Sequence, residues 1–246
     1  MHPESTRIVL AASLGVIAAG GNLLGGYFVV RREWPRHFLR YFLALGAGYM
    51  LGVSLLEIIP ESIRLTGSGA LLYVLLGYFL VQLFEHTLAP HFHFGEETHA
   101  EVMRQAHAGT TALIGLMIHT FFDGVAIAAG FLVSNWLGTA IFIAIFLHKL
   151  PEGFTVASLM LASGRTRRAA LWASVLLGAA TLAGVLVTDA LRARVSYALP
   201  LSGGVTLYVA ASDLMPEVNR EPNWRSAALV FVGVAMLFIL QRLFND

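Results

Sequence analysis

The chain alternates long apolar runs with short polar breaks. Eight runs can be drawn, at about 8–30, 39–60, 69–89, 110–133, 136–162, 169–189, 197–215 and 226–243, each near the ~20 residues that a membrane-crossing helix needs. They predict an all-α integral membrane protein with eight transmembrane helices. The first run is long enough to span and reads as a helix that stays rather than a cleaved leader. The breaks differ in charge. Those after runs one, three, five and seven hold Arg31, Arg32, Arg36, Arg40, Arg104, Arg165, Arg167, Arg168, Arg220 and Arg225, while the opposite ends hold only Arg7, Arg64, Arg192, Arg194 and Arg242. By the positive-inside rule this bias puts both termini outside.

One pattern occurs twice. Gly48-x-x-Leu51-x-Val53-x-x-x-Glu57-x-x-Pro60-Glu61 matches Gly204-x-x-Leu207-x-Val209-x-x-x-Asp213-x-x-Pro216-Glu217 at a constant offset of 156. The offset joins run two to run seven, an odd number of crossings apart, so the two copies run in opposite directions. That is the mark of an inverted repeat. Residues 8–89 and 169–243 are then related three-helix units, spans 1–3 and 6–8, with 110–162 as a central pair. Pro60 and Pro216 each lack an N–H, which frees the carbonyls of Leu56 and Ser212 close to the acids.

Composition fixes the solvent. Of 246 residues 57% are hydrophobic and 13% charged, against about 25% charged in soluble domains. There is no cysteine, so any metal here is held by His, carboxylate, Met or carbonyl groups. A net charge of +1 gives no reason to expect a nucleic-acid partner; the partners expected are lipid and a divalent ion.

The chemistry concentrates in the central pair. His119-Thr120-Phe121-Phe122-Asp123-Gly124 and His148-Lys149-Leu150-Pro151-Glu152-Gly153 both read His-x-x-x-acid-Gly. A step of four puts His119 over Asp123, and His148 over Glu152, on one helix face. Counted from the turn at Ser134-Asn135-Trp136, both rows lie roughly 18–21 Å along their helices, inside a ~30 Å hydrocarbon layer. Asp123, Glu152 and Lys149 together imply about 8–10 kcal/mol of insertion penalty on the low scale, which a dication held by the acids and imidazoles offsets. The competing reading is a set of buried interhelical hydrogen bonds and a salt bridge to Lys149. Lys149 is the only lysine in the chain. A cation at that place neutralises spare carboxylate charge and repels a second ion, favouring one metal; snorkelling from a helix end is the alternative.

Other residues are secondary candidates. Met50 is either a soft ligand or simple packing. Glu57, Glu61, Asp213 and Glu217, near span ends, read as stations at the mouths of a path or as solvated ends. Residues 90–109 form a predicted cytoplasmic loop. In and beside it lie His86, His91, His93, His99 and His107, five of the nine histidines, suited to weak metal binding or equally to a polar linker.

With eight spans, a His-bearing third loop and the paired motifs on spans four and five, the chain resembles the ZIP (Zrt/Irt-like) family of divalent metal transporters, in its bacterial branch. The resemblance implies uptake of zinc (also iron, manganese or cadmium) into the cytoplasm, with Zn²⁺ as substrate. It implies residence in the bacterial inner membrane, a 3+2+3 helix arrangement, a homodimer, and an elevator-like or rocking alternation of access. His119, Asp123, His148 and Glu152 match the family's primary site, and Met50 a methionine that some members use. Thr120 stands where many members have Asn, Lys149 where some have a carboxylate or Asn, and span six offers only Thr181 where two-metal members place Glu. These departures imply a mononuclear site. An intramembrane zinc-dependent hydrolase also fits several His and acid ligands deep in a bundle, with a metal-bound water. Against it, the chain has no His-Glu-x-x-His, and the repeat predicts a through-path.

Overall fold

In the computed structural model the described residues are 3–31, 36–88, 108–220 and 223–245. Their regular elements are all helical. Ten α-helices are α1 (Pro3–Arg31), α2 (Arg36–Val53), α3 (Ile59–Thr66), α4 (Ala70–Leu88), α5 (Ala108–Val133), α6 (Asn135–Ala162), α7 (Arg167–Ala190), α8 (Val195–Tyr208), α9 (Met215–Asn219) and α10 (Trp224–Asn245). Six stretches among the described residues are long and apolar enough to cross a membrane: Thr6–Arg31, Leu39–Thr87, Gly109–Val133, Asn135–Ala162, Arg167–Ala190 and Trp224–Phe244. This is a multi-pass helical membrane protein.

Runs two and seven do not appear as single straight helices, whereas run three is α4. Within the apolar stretch Leu39–Thr87, run two is separated from run three (α4) by the 3-10 turn Gly67–Gly69, where Gly67 has φ of +69°. A side chain there would meet the Cβ clash that glycine avoids. Run seven is straight only through α8, because the helix widens into a π-helical segment, Val209–Leu214. A matching segment, Ser54–Ile58, follows α2. The Ile59 N–H bonds back to the Ser54 carbonyl, and the Met215 N–H to the Ala210 carbonyl. Each is a five-residue step placed immediately before Pro60 or Pro216. A proline has no N–H for the carbonyl four back, and a local widening of the ladder accommodates the loss.

Packing follows the glycines. α1 packs most extensively against α6 and α7, α5 against α7 and α6, α2 against α10, and α4 against α8. Close approach without side chains is what drives helix association in lipid. A Cβ on Gly48 would stand 2.0 Å from the Val230 carbonyl oxygen, and one on Gly204 1.9 Å from that of Val74. Gly77 lies in the same way on Leu201, at 2.0 Å, and Gly233 on Leu45, at 2.3 Å. In both cases the second contact is the first with its partners exchanged and each advanced or set back by 156.

The central hairpin has its own organisation. Ser134 caps α6, its hydroxyl accepting from the Leu137 N–H at 3.1 Å, which satisfies one of the unpaired donors of the first turn. Near that turn Gly130 and Gly138 meet, and the Phe131 ring lies over Gly138. The predicted loop at 90–109 falls outside the described residues up to 107, and His91, His93, His99 and His107 with it; α5 begins at Ala108.

Candidate metal centre

The close α5–α6 pairing brings two motif faces together about midway along their helices. His119, Asp123, His148 and Glu152 each offer a ligand atom, and these atoms all lie within 4.8 Å of one another. All four side chains are buried. The close pairs run between the helices rather than along them. His119 Nε2 is 3.2 Å from Glu152 Oε1, and His148 Nε2 is 3.3 Å from Asp123 Oδ2. Donors at ~2.0–2.2 Å from one tetrahedral centre lie about 3.4 Å apart, so both separations suit ligands of a shared ion.

Hydrogen bonding separates the ligands into anchored and free atoms. His148 Nδ1 is 3.1 Å from the Ala144 carbonyl, a bond that leaves Nε2 directed at the site and fixes the ring. Among the described residues, neither His119 nitrogen has a hydrogen-bond partner, nor has Asp123 Oδ1. Buried polar atoms are ordinarily satisfied. An imidazole nitrogen and a carboxylate oxygen left unpaired on members of this cluster fit a divalent cation as their partner.

Lys149 is fully buried and does not snorkel. Its ammonium donates to Asp123 Oδ2 at 2.6 Å and to Glu152 Oε2 at 2.5 Å. One oxygen of each carboxylate is thus engaged, while Asp123 Oδ1 and the His119-facing Glu152 Oε1 point elsewhere. Thr120 donates to Glu152 Oε1, and its hydroxyl lies 3.5 Å from the Lys149 ammonium. With both imidazoles neutral, two carboxylates and one ammonium leave a single net negative charge in a low-dielectric interior.

Asn22, on α1, was not among the residues singled out from the sequence. It is fully buried. With its amide nitrogen turned toward the two neighbouring acceptors, it donates to Glu152 Oε2 at 3.2 Å and to the Lys149 carbonyl at 2.7 Å. An Asn inside an otherwise apolar run, between Gly20-Gly21 and Gly25-Gly26, was the available signal, since intramembrane polar side chains are rare and paired.

The remaining candidates occupy other places. Met50 is fully buried on α2, in the main core with Tyr49 and Val53. Glu57 accepts from Trp136 Nε1 at 3.0 Å. Glu61 forms an ion pair with Arg64 at 2.5 Å. These two acids, Arg64, Ser134 and Trp136 help to line an open cavity of about 360 Å³ beside the α5–α6 turn. Asp213 is buried, with no hydrogen-bond partner on either oxygen among the described residues. Glu217 lies 3.1 Å from Arg220 Nη1, and Tyr208 donates to Glu85 Oε2 at 2.8 Å. His86 is exposed on α4, with Nδ1 2.9 Å from the Gln82 carbonyl.

Comparison with known proteins fits this geometry. The family described as ZIP Zinc transporter matches residues 95–241, more than half of the chain and both motif-bearing helices. The chain belongs to the ZIP family. Among relatives of this ZIP protein, the zinc transporter ZupT of Enterobacter sp. (strain 638) is 28% identical over 250 residues, covering 95% of each chain. The zinc transporter ZupT of Shigella flexneri is 27% identical over 242 residues, covering 91% of this chain and 93% of its own. A zinc transporter ZIP13 homolog of Drosophila melanogaster is 33% identical over 150 residues, covering 56% of this chain; the match spans 42% of that protein's length.

Proposed function

We propose that the chain carries divalent metal ions across a membrane into the cytoplasm, with zinc as the principal substrate. The observation that carries this reading is the convergence of His119, Asp123, His148 and Glu152, buried and within 4.8 Å of one another, in a member of a family of zinc transporters. Two imidazoles and two carboxylates suit tetrahedral Zn²⁺. Iron, manganese and cadmium are further substrates under this reading, because ligand type alone does not exclude them.

The ion is held as a single cation. Lys149 already supplies one positive charge to both carboxylates, so a dication brings the site to one net positive charge, and a second would be repelled at short range. Met50 joins the ligand set as a soft donor from α2. Glu57 and Glu61 form the outer approach, beside the cavity at the α5–α6 turn. Asp213 and Glu217, their counterparts at offset 156, stand on the way out, and the histidines at 86–107 take the ion up in the cytoplasm.

The arrangement is read as eight crossings in a 3+2+3 order, with spans 1–3 and 6–8 as inverted repeats. The glycine contacts that recur with exchanged partners, and the two π-helical segments before Pro60 and Pro216, support that symmetry. On it the termini lie outside, the chain resides in the bacterial inner membrane, and two copies pair. Alternating access then comes from α1, α5, α6 and α7, which pack on one another, moving against α2, α4, α8 and α10. The rival hydrolase reading has no support, for the family consists of transporters rather than enzymes.

Zinc-65 uptake into proteoliposomes tests the proposal. Wild-type protein accumulates the isotope, and His148→Ala and Glu152→Ala each lower the initial rate at least tenfold. Uptake within twofold of wild type in both variants would overturn the assignment of the site. Metal-dependent lipid or peptide turnover without flux would return the hydrolase.

A further inference from the structure

We infer that Asn22 is a positioning residue of the metal centre, holding Glu152 Oε2 so that Oε1 is presented to the ion beside His119. The inference rests on the reading of the four-residue cluster as the transport site, and extends that site to α1, which lies outside the family match and contains none of its ligands.

Three observations converge. Asn22 is fully buried, so its amide is cut off from bulk solvent and needs hydrogen-bond partners in the interior. With the amide turned so that its nitrogen faces two acceptors, it donates to the Lys149 carbonyl at 2.7 Å and to Glu152 Oε2 at 3.2 Å; the opposite orientation would set its oxygen against both acceptors. The bond to the backbone fixes the amide plane, and the second hydrogen is thereby aimed at the carboxylate. The helix contact supplies the third. A Cβ on Gly153 would stand 2.0 Å from the Asn22 carbonyl oxygen, and one on Gly25 2.2 Å from that of Leu150. Asn22 is therefore held at the foot of Glu152 by backbone packing on either side, with little freedom to turn away.

Internal symmetry repeats the same backbone contact in the other half of the site. Gly124 lies on the Thr181 carbonyl oxygen at 1.9 Å, and Gly184 on that of Phe121 at 2.0 Å. These are the Gly153–Asn22 and Gly25–Leu150 contacts repeated on α5 and α7, with α1 and α7 related by an offset of 159 and α5 and α6 by 29. The same relation takes His119 to His148, Thr120 to Lys149, Asp123 to Glu152 and Thr181 to Asn22. A polar residue thus stands at the matching place on each flanking helix. On α7 the Thr181 hydroxyl is turned to its own helix, 3.4 Å from the Leu177 carbonyl, whereas on α1 the amide reaches the ligand.

The division of labour within Glu152 follows. Lys149 and Asn22 both take Oε2, the first as a charge and the second as a fixed neutral donor. Oε1 is left to His119 and Thr120, and Glu152 binds through one oxygen. Without Asn22 the carboxylate keeps its charge partner but loses the donor that sets its rotation.

The test uses the full chain in proteoliposomes, with Zn²⁺ for uptake and Co²⁺ absorption in the purified protein as a spectroscopic readout. Asn22→Leu, of similar size without a donor, should raise the half-saturating Zn²⁺ concentration about ten- to a hundredfold, the range for partners that orient metal ligands. The maximal rate should change less than threefold, and the Co²⁺ ligand-field bands should shift. Placed on Glu152→Ala, the same substitution should add less than twofold, because its effect runs through that carboxylate. Asn22→Ser, small enough for a close helix contact but too short to reach Glu152, carries the same expectation if the leucine variant does not assemble. Wild-type half-saturation and an unshifted spectrum in the Asn22 variants, while Glu152→Ala is impaired, would overturn the positioning role alone. Multiplying effects in the double variant would also overturn it. A Glu152→Ala protein with wild-type affinity would remove the site reading, and this inference with it.

Discussion

The Lys149 ammonium lies 2.6 Å from Asp123 Oδ2 across the α5–α6 interface, with both side chains fully buried. The charge sits where an ion would otherwise find a second pair of carboxylate oxygens. Removing one member of a buried ion pair typically destabilises by about 3–5 kcal/mol, because the other charge is left uncompensated. Metal-free Lys149→Ala should therefore unfold at a lower temperature than wild type in detergent, and saturating Zn²⁺ should recover most of the difference. A melting temperature unchanged without metal would show that the ammonium carries no such role.

Stoichiometry provides a second check on the same residue. Lys149→Glu replaces a fixed cation by a third carboxylate and removes the repulsion toward another dication. Elemental analysis should find one zinc per chain in wild type and two in Lys149→Glu. One ion in both proteins would separate the lysine from metal number.

Gly153 and Gly20 form a matched pair for stability. A Cβ on Gly153 would overlap the Asn22 backbone at 2.0 Å, whereas one on Gly20 would meet nothing within 4 Å. Overpacking costs about 1–3 kcal/mol, while Gly to Ala in an open helical position stabilises by about 0.4–1 kcal/mol. Thermal unfolding should show Gly153→Ala lowered and Gly20→Ala equal to or above wild type. Zinc uptake should fall only in the first.

Asp213 presents a buried carboxyl group without a hydrogen-bond partner among the described residues. Burying such a group unpaired costs a few kcal/mol, and residues kept at that expense ordinarily serve function. Asp213→Asn should raise thermal stability while lowering the zinc uptake rate several-fold. Raised stability with undiminished transport would take Asp213 out of the path.

Beside the open cavity at the α5–α6 turn, Trp136 Nε1 donates to Glu57 at 3.0 Å. Trp136→Phe keeps the ring and loses the donor. Half-saturating Zn²⁺ should rise a few-fold with the maximal rate retained, read from concentration-dependent uptake. A fall in maximal rate alone would place Trp136 in the conformational step.

Much of this protein is written in local periodicity. Apolar runs give α5, α6, α7 and α10 to within two residues, because membrane crossing demands a fixed length of apolar helix. The His-x-x-x-acid spacing picks out the four residues that the fold brings within 4.8 Å of one another, because a step of four stacks side chains on one helical face. Pro60 and Pro216 announce a disturbed ladder from the missing N–H, although the π-helical form of the disturbance is settled by the packing around it.

Partnership across helices is another matter. Spacing suggests His119 with Asp123, yet His119 Nε2 lies beside Glu152 and His148 beside Asp123. Nothing local distinguishes a snorkelling Lys149 from one enclosed by two carboxylates, and nothing local sends Asn22 of α1 to Glu152. The pattern of the chain alone decided which side chains are costly in lipid and on which helical face they lie. Only the tertiary structure decided whom they meet, because that depends on where Gly25, Gly124, Gly153 and Gly184 let helices distant in sequence come into backbone contact.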